Sequence, residues 1–581
     1  MKSIIKRIIL KTNKAITFLV VSIAFFACTS ETPTESSSVG EPIDETLETI
    51  VNGPYVFKGR KVPNPYSMKN MQEALKILIN ADNESGEIID DPDDPETPDE
   101  PTDYYVKITI RDVEDFDYLD SLDVPYFNYP LDYEIEEEDI DEEAEGELMV
   151  GQEGNGTMFV YTTVDNLSKL SGMSYELIDE CYIPDESNSG WDEILVRSGK
   201  SDLRAADWER IAINNVGLGT NDPEQPRSGS SPAGWIKVLN NVNNPGVLEG
   251  VKGVKVTCQY LVKIASVRTN ASGYYSFAGV QSWTQNPRYM LSFSNTKDFV
   301  IWKNWACLMP ATYNLGRHNN TGYNHNINTP GSSQWNAAVT NNGAYDYYSM
   351  CEQTGIQKPP FGLKIWSGLG DLCGAPMIHH LTGVIISSWI GAVCGYGWFS
   401  FGGGITGATA ATFLTFCVPD IVVNNGSSYK YIYKNTWHEL SHASHFSKIG
   451  QGAWMSYVDH IVYCMTHNDG IYGSSDHYDN SSTNGAGICG VSESWAYAQE
   501  YYKENQLTGQ PITSFTTEWF SDNVRVLYQL MSYNILSPQQ IFTVMSTSAS
   551  SINTFRSALL AAYPNKATDI QAVINGTYNP Q

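Results

Sequence analysis

Residues 429–450 read YKYIYKNTWHELSHASHFSKIG, and the interpretation of the chain begins from this stretch. Its apolar and polar residues follow a helical period of about 3.6 residues. Positions four apart share one face of a helix, so His438 and His442 can bind one Zn²⁺ together. Glu439 follows the first histidine and can take a proton from a water molecule on that metal. The H-E-x-x-H pattern therefore predicts a zinc site with Glu439 as general base.

The ends of this helix can be placed from the sequence as well. Ser427 or Ser428 is suited to cap its start, and Gly450 is a stop signal. Thr436 and Glu439 could instead form a capping box, which would give the glutamate a purely structural role. Both interpretations of Glu439 stay open at the level of sequence.

A catalytic zinc takes three protein ligands and a water, so a third ligand is needed. The metzincin pattern H-E-x-x-H-x-x-G-x-x-H does not supply it, because His445 and Lys448 occupy its glycine and last-histidine positions. A glutamate on a second helix is the remaining option. Residues 490–503 read GVSESWAYAQEYYK, with Glu493 on the first turn and Ala496 one turn later, where a small residue allows close helix packing.

The E-x-x-A context of Glu493 resembles that of the third ligand in gluzincin metallopeptidases. The resemblance implies a mainly α-helical (α+β) zincin-like catalytic domain. It also implies one Zn²⁺ per chain, held by the two motif histidines and Glu493, with Glu439 as the base. Glu500 and Glu504 lie near the same helix face and remain alternative third ligands.

Other side chains near the motif are predicted to surround the metal rather than bind it. His445 lies one turn beyond the motif, and Tyr497 lies one turn beyond Glu493. Peptide hydrolysis also needs a donor for the developing oxyanion. Four residues are candidates for that donor: Tyr497, His460, His467 and His477.

The N-terminus has the features of an export signal. A basic start, MKSIIKR, precedes a mostly apolar run at 15–27, which is too short to span a bilayer. A small residue before Cys28 resembles the bacterial lipobox, which implies removal of residues 1–27, lipid on Cys28 and a site on the outer membrane, at the cell surface. Ordinary secretion with a free Cys28 is the alternative.

Cysteine usage fits an exported protein. Nine of the ten cysteines remain once Cys28 is lipidated, and an odd number leaves at least one thiol unpaired within the chain. Cys464 and Cys489 bracket a polar loop between the two ligand helices. They are the predicted disulfide.

The acidic charge is concentrated near the N-terminus. The chain has a net charge of −30, and residues 31–150 hold 35 of its 66 acidic residues against seven lysines and arginines. No basic stripe is present to neutralise phosphates, so nucleic acid is excluded as a partner. The acidic segment is interpreted as a solvated stalk, and protein or peptide substrates are the expected partners.

The chain divides into several predicted domains. Residues 28–103 are rich in Ser, Thr, Pro, Asp and Glu and predict a tether, with a transient helix at 68–79. Residues 104–190 predict a small α+β module from strands at 104–110 and 157–164 around a short helix. Residues 191–231 are interpreted as a linker.

Residues 232–302 predict an all-β sandwich. Segments 235–238, 254–260, 274–277 and 289–293 alternate apolar and polar residues between Gly, Asn and Pro turns. The pairing of GVKV at 253–256 with TNASGYY at 269–275 resembles the carboxypeptidase-regulatory, transthyretin-like domains of secreted bacterial proteins. The resemblance implies a spacer or scaffold without chemistry of its own.

Residues 303–581 form the predicted peptidase-like domain. Residues 335–354 predict a helix beside the motif helix, and 514–577 predict further packing helices. The apolar run 381–416 contains too many glycines for a membrane helix and predicts buried strands. Residues 419–423 predict a strand, which by resemblance to gluzincins would be the edge that aligns extended substrates.

The sequence therefore predicts a lipid-anchored zinc metallopeptidase that resembles surface lipoproteins of Bacteroidota. The alternative is a surface glycan- or protein-binding lipoprotein with a degenerate zincin-like domain, favoured by the aromatic content and the β-sandwich. A purely structural zinc is disfavoured, because such sites close all four positions, often with cysteine.

Overall fold

The fold was obtained as a computed structural model of the 581-residue chain. It describes residues 47–52, 55–80, 100–111, 113–135, 158–186, 191, 195, 204–219, 229–243, 245–302, 310–368, 373–381, 419–467, 469–474 and 485–580. The predicted leader, Cys28, most of the tether, the apolar run from 382 onward and His477 lie outside the described residues. The chain is multi-domain, with N-terminal β/α modules, β-sheets in the middle and a mainly helical C-terminal region, as predicted.

Among the residues described before 220, two small antiparallel sheets and three α-helices are present. One sheet has the strand order β1-β2-β4 and the other β5-β3-β6. The elements are β1 Glu48–Asn52, β2 Tyr55–Lys61, α1 Met68–Asn80, β3 Asp103–Ile110, α2 Val113–Ser121, β4 Tyr133–Ile135, β5 Met158–Val164, β6 Ser174–Cys181 and α3 Ala205–Asn215. The strands and helix predicted within 104–164 are confirmed.

The predicted tether and linker contain more structure than their composition indicates. Strands β1 and β2 and helix α1 lie within 28–103, and α3 lies within 191–231. Leu75 of α1 and Trp208 of α3 are fully buried in one core, and the Trp208 indole donates to the Met71 carbonyl at 2.7 Å. A few apolar residues at helical spacing are enough to bury these helices, although the average composition of the segments is polar.

The middle of the chain consists of two sheets. A four-stranded sheet has the order β11-β7-β15 with β8 on β7, and a seven-stranded sheet has the order β10-β9-β12-β13-β16-β17 with β14 on β12. The strands are β7 Ala233–Asn240, β8 Val247–Gly250, β9 Val254–Tyr260, β10 Lys263–Arg268, β11 Tyr274–Ser276, β12 Arg288–Asn295, β13 Phe299–Trp302, β14 Thr312–Arg317, β15 His325–Ile327, β16 Leu363–Ser367 and β17 Ile421–Val423.

The larger sheet crosses the boundary predicted at 302/303. Strand β12 pairs with β14, and β13 pairs in parallel with β16, which pairs in parallel with β17. The strands predicted at 235–238, 254–260, 274–277 and 289–293 are present, and the two sheets share one hydrophobic core with the C-terminal helices. The predicted sandwich and the peptidase-like domain are therefore joined through this sheet.

Helices form the C-terminal region and carry the H-E-x-x-H sequence. They are α4 Ser333–Thr354, α5 Tyr429–Thr466, α6 Ala486–Thr508, α7 Ser521–Ser532, α8 Pro538–Val544, α9 Ile552–Ala562 and α10 Ala567–Ile574. Helix α4 packs against α5 as predicted, with Tyr347 Oη donating to Ser444 Oγ at 3.0 Å. A Cβ at Gly343 would lie 3.1 Å from Thr436 Cβ, so glycine permits this close approach.

Helix α5 is interrupted at Gly450, whose backbone is not helical and has a positive φ that favours glycine (φ 77°, ψ 168°). On one straight helix, Tyr457 would lie about 22 Å along the axis from His442. The two rings are instead 5.8 Å apart between centroids. The predicted stop at Gly450 is thus a real break, and the second half of α5 turns back toward the motif.

Candidate metal centre

The first part of α5 presents the motif to the interior. Ser428 caps the helix by accepting from the Tyr431 backbone N–H, as predicted for one of two serines. His438, Glu439 and His442 are all buried, and they form a cluster whose ligand atoms lie within 4.8 Å of one another. The two histidine Nε2 atoms are 3.2 Å apart. This cluster could hold a metal ion.

Glu493 of α6 faces the same two nitrogens. Its Oε2 lies 3.6 Å from His438 Nε2 and 3.5 Å from His442 Nε2. Tetrahedral zinc with bonds of about 2.0–2.2 Å would separate its ligands by roughly 3.3–3.6 Å. The three atoms therefore form a triangle of the size that one zinc ion requires.

The two oxygens of Glu493 have different surroundings. Oε1 accepts a hydrogen bond from Tyr457 Oη at 2.8 Å. Oε2 is buried and has no hydrogen-bond partner among the described residues. A buried carboxylate oxygen without a partner is costly, and a cation in the triangle would satisfy it.

The outward nitrogen of each histidine is also fixed. His438 Nδ1 lies 3.0 Å from Glu500 Oε2, and His442 Nδ1 lies 2.8 Å from Ser492 Oγ. Glu500 is held in turn by Lys434 Nζ at 2.8 Å. Such contacts orient a metal-binding imidazole and strengthen it as a ligand. Both Nε2 atoms are thereby directed into the triangle.

The alternative third ligands do not reach the triangle. Glu500 contacts the far nitrogen of His438, as described above, and Glu504 binds Lys430 Nζ at 2.7 Å and Lys434 Nζ at 2.9 Å. Both carboxylates therefore contact groups outside the triangle, namely His438 Nδ1 and the lysines Lys430 and Lys434.

The buried histidines and carboxylates of the site shift one another's pKa values. Burial alone would lower the pKa of His438, but the neighbouring carboxylates of Glu493 and Glu500 raise that pKa to about 10. Burial would raise the pKa of Glu493, but the two histidines hold it well below the usual range. Burial raises the pKa of Glu439, against the attraction of His438 and His442.

The structure separates the roles expected for His445 and Tyr497. Tyr497 packs edge-on against His438, with ring centroids 4.5 Å apart. His445 is buried against Trp454, with centroids 6.1 Å apart, and its Nδ1 has no partner among the described residues. Tyr497 therefore borders the cluster, whereas the described contact of His445 is with the core.

The candidate oxyanion donors are placed differently. His460 Nε2 bonds the Tyr472 carbonyl at 3.1 Å, and His467 Nδ1 lies 2.8 Å from the Tyr463 carbonyl oxygen. Tyr472, which sequence reasoning missed, interacts with the hydroxyl of Tyr497. Burial and the charge of Glu493 raise the pKa of both tyrosines, so both hydroxyls stay protonated donors.

The predicted Cys464–Cys489 disulfide is not formed. Both thiols are free and buried. The Cys464 sulfur lies 3.6 Å from His460 Nε2, one helical turn earlier on α5. As predicted, the two cysteines lie on two helices joined by a loop. Their positions in the sequence do not specify the direction in which each sulfur points, and a disulfide depends on that direction.

Strand β17 occupies the predicted position before α5, but its outer side is covered at Val422. Gly374 forms an antiparallel bridge there, with its N–H donating to Val422 O at 3.1 Å and its carbonyl accepting from Val422 N at 2.8 Å. The predicted substrate edge at 419–423 is therefore bridged by the chain's own segment.

No protein-family model, curated protein or solved structure matches the chain. Among the described residues, no helix combines the length and the apolar character that crossing a membrane requires. Function is therefore inferred from the site itself.

Proposed function

We propose that this chain is a zinc metallopeptidase that hydrolyses peptide bonds of proteins or peptides. The observation that carries the proposal is the triangle of His438 Nε2, His442 Nε2 and Glu493 Oε2, with sides of 3.2, 3.6 and 3.5 Å. The unpartnered Glu493 oxygen supports a cation at its centre. Three protein ligands leave a fourth position for water, which is the arrangement of catalytic rather than structural zinc.

Each residue has a defined task in this proposal. His438, His442 and Glu493 would hold the zinc, which when bound supplies Lewis acidity toward water and the scissile carbonyl. Glu439 is buried beside them and is not needed as a ligand. It takes the proton of the attacking water and passes it to the leaving amine.

Tyr497 and Tyr472 are proposed to stabilise the charge that develops on the substrate oxygen. Tyr497 borders His438, and both hydroxyls remain protonated, as described above. Tyr472 is held in place through its carbonyl, which accepts from His460 and from Trp519 Nε1, each at 3.1 Å. Donors fixed before the reaction cost no reorganisation when the charge appears.

We further propose that the enzyme acts outside the cytoplasm, attached to the outer membrane by lipid on Cys28. Support comes from the basic start, the apolar run at 15–27 and the small residue before the cysteine. The acidic tether would separate the folded body from the membrane surface.

Zinc content measured by elemental analysis tests the centre. After zinc loading and gel filtration, we expect about one zinc per chain in the wild type and in Glu439→Gln, and a clear loss in Glu493→Gln. A peptide library should then be cleaved by the wild type and not by Glu439→Gln. If the loaded wild type retains no zinc, the peptidase proposal is wrong and the surface-binding alternative takes its place.

A further inference from the structure

Strand β6, Ser174–Cys181, forms one edge of the sheet with the order β5-β3-β6. Its outer side is paired at one end, where Cys181 forms an antiparallel bridge with Ser67. Along 174–179, no other strand of the described residues pairs with that side. The backbone N–H and C=O groups on an unpaired strand edge can bind a further extended chain.

Three large apolar side chains of β6 are exposed. Tyr175, Leu177 and Ile178 have 39%, 42% and 39% of their surface accessible to solvent. Leu177 lies opposite Val106 of β3, which is fully buried, and opposite residues of an antiparallel pair share one face of the sheet. Tyr175 and Leu177 therefore continue the core-facing side of the sheet past the edge of the core. The pairing shifts by one residue at Ile178, which leaves this residue without a partner on β3.

The charged side chains of β6 are all acidic. The strand contains Glu176, Asp179 and Glu180 and no lysine or arginine. Among the described residues, Lys107 is the one cation that forms an ion pair with any of the three, and its Nζ lies 3.9 Å from Glu176 Oε2. An exposed contact of this length neutralises little of the charge. Glu176 pairs with Lys107 on the face of the sheet opposite to that of Leu177.

The negative charge disfavours two occupants of this edge that the chain itself could supply. Residues 81–99, before β3, contain nine acidic residues, and residues 136–157, before β5, contain ten; neither stretch contains lysine or arginine. A second copy of β6 would bring the same three carboxylates to the edge. Like charges on paired strands are destabilising, so acidic residues protect the edge against these chains but not against a basic one.

We propose that the outer edge of β6 binds an extended segment of a protein partner in which lysine or arginine alternates with apolar residues. The segment adds a strand to the sheet through the free backbone groups of 174–179. Its apolar side chains cover Tyr175 and Leu177 on one face, and its cations lie beside Glu176 on the other. Backbone hydrogen bonds supply affinity, and the opposite charges supply selectivity and faster association.

Fluorescence anisotropy with a dye-labelled peptide of sequence KVKVKVK tests the binding. The full chain carries Glu439→Gln, so that the proposed general base does not act on the probe. We expect saturable binding in the micromolar range that weakens as the salt concentration rises, and no binding of the peptide EVEVEVE. Equal binding of the two peptides, or binding of neither, overturns the proposal. The zinc ligands take no part in this surface, so failure of the peptidase function would leave the result unchanged.

Two matched variants test the location of the surface. Leu177→Ser on β6 and Leu248→Ser on β8 remove the same side chain at nearly equal exposure, 42% and 43%. We expect Leu177→Ser to weaken binding of the probe about fivefold or more, and Leu248→Ser to change it by less than about twofold. Equal effects of the two substitutions overturn the proposal.

Two modified probes test the addition of a strand. KVKVKVK methylated at the backbone nitrogens of all valines, or of all lysines, lacks the N–H groups along one edge of its extended chain. At least one of the two should bind about tenfold or more weakly, and unchanged affinity of both overturns the proposal. Sedimentation velocity without peptide tests a second copy as the occupant. We expect Leu177→Ser to leave the oligomeric state unchanged, and a dimer that this substitution dissociates overturns the proposal.

Discussion

At Gly485 the backbones of α5 and α6 approach each other closely. It caps the start of α6 with ordinary helical angles (φ −84°, ψ −15°), so alanine fits its conformation. A Cβ there would lie 1.7 Å from the Ser456 carbonyl oxygen and 2.8 Å from His460 Cβ, both on α5. In the folded state, the substitution Gly485→Ala therefore acts mainly on the space between the two helices.

The expected change in the free energy of unfolding follows from two opposing effects. Alanine would gain about 0.4–1 kcal/mol by restricting the unfolded chain. Relieving a contact of 1.7 Å against backbone requires the helices to move apart by well over 1 Å, and overpacking of this kind costs about 1–3 kcal/mol or more. We expect a net loss of about 2 kcal/mol in the free energy of unfolding.

The separation of α6 from α5 in Gly485→Ala should also weaken zinc binding. Glu493 lies two turns into α6, and its oxygen must stay near 3.5 Å from the nitrogens of α5. Moving α6 away stretches these separations beyond what metal–ligand bonds tolerate, so zinc affinity should fall by roughly tenfold or more.

The assay is urea unfolding of the metal-free protein, together with zinc competition against a chelator. Gly452→Ala is the matched control, because this glycine lies in α5 and a Cβ there has nothing within 4 Å. The control should be about 0.5–1 kcal/mol more stable than the wild type. If Gly485→Ala is as stable as Gly452→Ala and binds zinc normally, the close approach of the helices is refuted.

Three further changes test the centre. Glu500→Gln should weaken zinc about 10–100-fold by removing the charge that supports His438, whereas Glu504→Gln, measured in the same competition assay, should have little effect. Because the carboxylates of Glu493 and Glu500 raise the pKa of His438 to about 10, zinc must displace a proton at neutral pH. Zinc affinity should therefore fall as pH falls from roughly 9 to 7, with about one proton released per zinc in weakly buffered titrations. Glu439→Gln should retain zinc but lose about 10²–10⁴-fold in kcat, and near-normal turnover would exclude it as the base.

The local part of the site could be predicted from sequence because it depends on helix periodicity alone. His438 and His442 face one side of α5 wherever that helix packs, and Ser428 caps it through a contact three residues away. The position of Glu493 followed from its E-x-x-A context, and the structure places it opposite both histidines. Its role as a ligand remains a prediction for the zinc measurement.

Contacts that depend on the path of the chain between elements could not be predicted. Tyr457 reaches Glu493 only because α5 turns back at Gly450, and a stop signal does not specify the direction of the next helix. Gly374 joins β17 through an antiparallel bridge to Val422, and nothing in its local pattern indicates which strand edge it joins. In both cases the information lies in tertiary packing rather than in local periodicity.

The acidic N-terminal part also has a role that its composition did not indicate. Three lysines of the seven-stranded sheet have side chains that are at least nine-tenths buried, and each is neutralised by an N-terminal carboxylate. The pairs are Lys255–Asp123 at 2.7 Å, Lys263–Glu209 at 2.6 Å and Lys364–Asp117 at 2.9 Å. Both partners are buried in the Lys263–Glu209 pair alone, where removing one of them leaves an uncompensated charge at a cost of about 3–5 kcal/mol.

Asp117 and Asp123 of the acidic segment therefore bind lysines of the folded sheet, rather than belonging to a solvated stalk. Lys364 lies on β16, which pairs with the strand that leads into the metal-centre helix. Its ion pair with Asp117 of α2 therefore connects the N-terminal module to the sheet that supports the site. Trp366 and Val422 of that sheet pack in one core with Ile108 and other residues that precede 232, so the site is supported by more of the chain than residues 303–581.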